Sequence, residues 1–215
     1  MSKKNELVTR CYKLEIRANE DEEKKGYIYG TPIVFGKPTV IRDWYGQFEE
    51  VIDERALDNA DLKDVRLFIN HDTSKITLAR SKNGKGTMEL KKGSHGLDMG
   101  AYLDIENNSE ARALYSAVSR GDMDGMSFMF EINGEKWDGL DTDLPRRTIT
   151  SIKIVHEVSV VNFPAYTDTV VNARSKEETA ISVLEEARKA FLEETKQNEV
   201  KALEIEKLRL NHICF

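Results

Sequence analysis

Three residue types in this chain, brought together, would make a nucleophilic centre: a serine, a histidine and a carboxylate. A serine hydroxyl is a weak nucleophile at neutral pH. It needs a base to take its proton and a third group to orient that base. The serine is Ser127, in Gly125-Met126-Ser127-Phe128-Met129-Phe130. Met126, Phe128, Phe130 and Ile132 share one face of a strand by alternation, and their bulk marks that face as the core side. Ser127 points the other way, near Gly125, where another backbone can approach closely. It fits a nucleophile, and it also fits a strand serine that bonds locally.

The histidine is His71, at the end of the strand Val65-Arg66-Leu67-Phe68-Ile69-Asn70-His71 and just before the turn Asp72-Thr73-Ser74. It is either a base reaching a cleft or a surface histidine bonded to Asp72. Two neighbours compete for the third place, His156 and Glu157, in Ile152-Lys153-Ile154-Val155-His156-Glu157-Val158-Ser159-Val160-Val161. Alternation groups His156 with Ile152, Ile154, Val158 and Val160, as a satisfied core histidine would be. It groups Glu157 with Lys153, Val155, Ser159 and Val161. A carboxylate in so apolar a strand needs a partner. A histidine would serve, and so would Lys153.

Other chemistries find less support. The histidines 71, 95, 156 and 212 have no zinc-ligand spacing, and Val160 stands where a His-Glu-x-x-His motif would need its second histidine. No glycine-rich phosphate loop is present, so neither a metal nor any other cofactor is expected. A formal charge of -6 excludes a broad basic footprint for nucleic acid. No apolar run approaches a membrane span. The start, Met1-Ser2-Lys3-Lys4-Asn5-Glu6, lacks a hydrophobic signal region. Two cysteines, Cys11 and Cys214, do not make a disulfide framework and suit a reducing cytoplasm.

The elements that must position these residues are mostly strands. Val8 to Ile16, Gly26 to Phe35, Phe48 to Ile52, Val65 to His71, Leu97 to Leu103, Met126 to Ile132 and Thr148 to Val161 carry strand patterns. Asp53 to Leu62 is expected to form a helical turn. Ile76 to Arg80 and Thr87 to Leu90 are expected to form a hairpin through Asn83-Gly84. One helix interrupts the strands, with N-cap candidates at Asn107-Asn108-Ser109, an apolar stripe of Ala111, Leu114, Tyr115 and Val118, and a stop at Gly121. The expectation is an α+β fold: a mainly antiparallel, barrel-like β core with one or two packed helices. A charged helical tail follows Ala173-Arg174, with a capping box at Ser175 and Glu178. It suits either a docked surface helix or a binding arm.

Taken in order, these segments resemble the prohead protease family of tailed bacteriophages, whose barrel is similar to that of the herpesvirus assemblin serine proteases. The resemblance runs from about Gly26 to Ala173. It is carried by Gly26-Tyr27-Ile28-Tyr29-Gly30-Thr31-Pro32, by Phe48-Glu49-Glu50-Val51-Ile52, and by Asp64 to Asp72 around the histidine. Gly125-Met126-Ser127-Phe128 and Glu157 to Ala165 complete it. Asp53-Glu54-Arg55-Ala56-Leu57 departs from the family pattern, as does Ala79, where a glycine is common. The resemblance implies Ser127 as nucleophile, His71 as base and Glu157 as orienting carboxylate. The assemblin type has a histidine in third place, which keeps His156 as a rival. It further implies residues 1–173 as a protease domain and 174–215 as a scaffold-like or self-cleaved tail. The implied activity is a serine endopeptidase inside the immature procapsid, in the host cytoplasm. Its partners would be the major capsid protein with its scaffold segment, and other copies of itself.

Overall fold

The computed structural model describes residues 6–12, 16–18, 25–42, 46–162 and 180–213. Its backbone is a long antiparallel hairpin, β10 (Gly125–Asp138) and β11 (Arg146–Val161). On the outer edge of β10 lies β1 (Glu6–Tyr12), antiparallel. The far edge of β11 is shared by two parallel partners. β5 (Gln47–Ile52) runs beside Arg146–Ile149, and β6 (Arg66–Ile69) beside Glu157–Val160. Asp61 bridges to Ile154 between them. β4 (Thr39–Arg42) completes one side on β5, and β7 (Ala79–Arg80) the other on β6. A second, antiparallel sheet has the order β2 (Ile16–Ala18), β3 (Tyr27–Val34), β9 (Gly96–Tyr102), β8 (Met88–Lys92).

One core joins the sheets. Met126, Phe128 and Phe130 of β10 and Val155, Val158 and Val160 of β11 are buried in the same cluster as Ile28, Ile33, Leu97 and Met99 of the second sheet. The Phe128 and Phe130 rings lie 4.8 Å apart and stack. Helix α1 (Ser109–Ser119) closes that core with Ala111, Leu114 and Val118. Its first turn is capped by the Asn108 side chain, which accepts from the backbone amides of Glu110 and Ala111. It ends before Gly121, whose φ of +74° is the left-handed conformation expected of a stop glycine.

The α+β class holds, but the closed barrel does not. Among the described residues the strands form two separate sheets with open edges, and β5 and β6 join β11 in parallel. A single sixteen-residue strand offers an edge long enough for two short partners, an arrangement that strand-by-strand alternation does not encode. The Asn83-Gly84 hairpin is also corrected. Both residues do take positive φ, but Lys82–Gly84 is a short 3-10 turn that carries the chain between sheets. β7 pairs with β6, and β8 pairs with β9. Val8 to Ile16 is not one strand either, because β1 belongs to the first sheet and β2 to the second. Asp53 to Leu62 folds as successive tight turns that bury Ala56 and Leu57.

The tail forms α2 (Ala180–Ile213). Its start is docked: Ile181 and Leu184 pack with Ile41 and Phe48, and Trp137 and Leu140 cover them. Arg188 adds hydrogen bonds to the carbonyls of Leu140 (3.1 Å) and Thr142 (2.8 Å). Farther along, Phe191, Leu192, Val200, Leu203 and Ile205 are exposed. The division at Ala173-Arg174, the capping box at Ser175 and Glu178, the Phe163-Pro164-Ala165 part of the closing motif, Cys214 and the Cys11 side chain lie outside the described residues. Among the described residues no helix is long and apolar enough to cross a membrane.

Candidate active site

The hairpin sets the first two positions. In the β10–β11 register Ser127 faces Ser159 and Met129 faces Glu157. The two serines therefore sit side by side on the face turned away from Phe128, with Glu157 one step along. Next to them the parallel register sets Glu157 against Arg66 and Ser159 against Phe68. β6 then ends at Ile69, earlier than the sequence pattern suggests. Asn70 and His71 both turn left-handed, with φ of 51° and 59°.

That turn is what carries the histidine to the serine. The Asn70 amide donates to the Val160 carbonyl at 3.0 Å. The Asn70 side-chain oxygen accepts from the Asn162 amide, also at 3.0 Å. The His71 amide donates to Ser159 Oγ at 3.1 Å. Held so, the imidazole lies across β11. Its Nδ1 bonds Glu157 Oε1, and its Nε2 lies 2.5 Å from Ser127 Oγ. The other Glu157 oxygen accepts the Ser159 hydroxyl at 2.7 Å.

Because an ionised carboxylate only accepts, the Glu157 contact assigns the imidazole proton to Nδ1 and leaves the Nε2 lone pair facing the hydroxyl. Glu157 is 2% exposed and Ser127 is fully buried, so these contacts act with little solvent competition. The imidazole keeps some exposure, 21%. Ser127 Oγ also lies 2.9 Å from the Arg10 carbonyl on β1. A hydroxyl has one proton, and it reaches either this carbonyl or Nε2; only the second is productive for attack. Beside Glu157 an open cleft of about 530 Å³ is lined by Leu7, Phe68, Thr73, Met129 and Glu131.

Left-handed backbone costs a residue with a side chain about 1–2 kcal/mol, and asparagine bears it best. Asn70→Ala is therefore expected to destabilise the fold by about that amount, read from urea denaturation, and to lower activity by loosening His71.

The alternatives for each residue find other partners. Asp72 accepts from the amide and hydroxyl of Ser74, at 3.1 and 2.5 Å. Lys153 pairs with Glu131 at 2.9 Å. His156 Nε2 lies 3.0 Å from Glu131 Oε1, and is not in the cluster around His71. Lys153, against partial burial, and then His156 hold the Glu131 carboxyl below its usual range. Strict alternation fails for His156 because β11 carries a bulge. Met129 faces Glu157, yet the next residue of β10, Phe130, faces Val155. The extra residue puts Val155 into the core and turns His156 out.

Sequence reasoning passed over Ser159, Asn70 and Arg10. Ser159 had a readable signal, since it falls two residues after Glu157 on the same face. Asn70 had a weaker one, an asparagine directly before the histidine at a strand end. Among the described residues no group of three acidic, histidine or cysteine side chains is placed to hold a metal.

A serine hydroxyl, an imidazole and a buried carboxylate bonded in series have the geometry of a serine hydrolase. The model of the Caudovirus prohead serine protease family matches residues 12–182, most of the chain. The chain belongs to that family of capsid-maturation serine peptidases. No curated protein and no solved structure matches it.

Proposed function

We propose that Ser127 is the nucleophile, His71 its base and Glu157 the carboxylate that orients the base. On this reading Ser127 Oγ attacks a substrate carbonyl carbon while its proton passes to His71 Nε2. Glu157 keeps the ring in the productive tautomer and stabilises the imidazolium. The imidazolium gives the proton to the leaving amine, and the ester formed on Ser127 is then hydrolysed by water that His71 deprotonates. The single observation that carries the reading is the His71 ring, bonded through one nitrogen to Glu157 and through the other to Ser127.

The substrate is an extended peptide laid along the cleft beside Glu157. Family membership supports a substrate drawn from the major capsid protein with its scaffold segment, and a place of action inside the procapsid in the host cytoplasm. The tail beyond Ser175 is itself a substrate, cut once the capsid shell is built. Its exposed apolar residues past Phe191 suit contacts with assembly proteins before that cut.

An active-site serine probe tests the roles. The wild-type chain should become labelled, and Ser127→Ala should not. Intact mass of the purified wild type should show loss of the tail, and Ser127→Ala should keep it. Absence of label under every condition would favour a non-catalytic assembly scaffold on a protease-like fold.

A further inference from the structure

Ser159 is fully buried and its oxygen has two partners in the site. Its hydroxyl donates to Glu157 Oε2 at 2.7 Å. Its lone pair accepts the His71 amide at 3.1 Å. The first contact fixes one carboxylate oxygen and leaves the other for the imidazole. The second ties the His71 backbone to β11 at the point where β6 gives way to the left-handed turn. One side chain thus sets both the direction of the carboxylate and the backbone of the base. The register adds a third relation, because Ser159 is the direct cross-strand neighbour of Ser127. Alanine at this position would remove both contacts, the one to the nearly buried carboxylate oxygen and the one to the His71 amide.

We propose that Ser159 is a positioning residue for the peptidase reaction, acting through Glu157 and His71. This rests on the assignment of Ser127, His71 and Glu157 above. A group that holds the base in line affects the chemical step more than substrate capture, so its loss falls on kcat.

The experiment compares wild type, Ser159→Ala, Glu157→Ala and the double variant as full-length chains on a capsid-derived peptide, with Ser127→Ala alongside. Ser159→Ala is expected to lower kcat by about tenfold to a hundredfold with KM little changed, the scale of one hydrogen bond to a charged group. The same substitution added to Glu157→Ala is expected to cost clearly less, because the group it works through is gone. The far-downfield proton signal of the His71–Glu157 bond should also shift in Ser159→Ala, which a purely structural loss would not produce. Unchanged kcat, a loss confined to KM, or an equal factor in both backgrounds would overturn the role of Ser159. Activity surviving in Ser127→Ala would instead overturn the nucleophile assignment.

Discussion

Ser127→Ala is expected to lower kcat on a capsid-derived peptide by about a million-fold, and Glu157→Gln by about ten-thousand-fold. The serine loss removes the attacking oxygen outright. The glutamine keeps the size of the side chain but changes what it tells the ring. Its amide can donate to Nδ1, which favours the tautomer with its proton on Nε2, the nitrogen that must accept from Ser127 at 2.5 Å. A ten-thousand-fold loss corresponds to about 5.5 kcal/mol of transition-state stabilisation. His156→Ala is expected to leave kcat of the same order as wild type, because His156 is bonded to Glu131. Steady-state kinetics on the three variants decides between the rivals. A loss at His156 as large as that at Glu157 would move the third position to His156.

Glu50→Ala should produce the largest fall in stability. Glu50 is fully buried and accepts from Arg10 at 2.5 and 2.8 Å and from Arg147 at 3.4 Å. Arg147 retains Glu135, at 2.7 and 2.5 Å. Arg10, 4% exposed, would lose both of its bonds to this carboxylate. Breaking a buried ion pair by removing one partner costs about 3–5 kcal/mol. Urea denaturation measures it. Activity should fall as well, since Arg10 lies on the strand that flanks Ser127.

The same cluster sets an acid limit. Burial alone would raise the Glu50 carboxyl, but Arg10 and then Arg147 outweigh it and hold it below its ordinary 4.5. A group depressed in the folded state binds fewer protons there than in the unfolded chain. Its contribution is therefore complete above about pH 4.5 and is lost as pH falls through the lowered value. Denaturation curves between pH 7 and pH 3 should show the wild type losing stability at the acid end. Glu50→Gln should lose less over the same range.

Alternation along single strands made the faces legible. It placed Ser127 opposite Phe128 and assigned Met126, Phe128 and Phe130 to the core. Capping chemistry gave α1 its start and end. The order of His71, Ser127 and Glu157 in a familiar set of motifs pointed to peptidase chemistry before any fold was known. Pairing partners were not legible. Alternation says which side of a sheet a residue occupies but not which strand lies beside it, so β5 and β6 docking in parallel on β11 had no local signal. The bulge beside His156 was hidden for a related reason, because a one-residue insertion resets the two-residue period without changing composition. The left-handed pair Asn70 and His71 ends the strand at Ile69, two residues before the sequence pattern places its end.

Parallel docking of β6 on β11 also bears on when the enzyme first becomes dangerous to other proteins. On the proposed assignment His71 must find partners 56 and 86 positions later in the chain, and the carboxylate lies on β11, the last strand among the described residues. A ribosome-bound or truncated chain that stops short of that strand has its histidine and serine but no means to align them. Such distant contacts also form slowly. On that assignment competence is a late event of synthesis and folding.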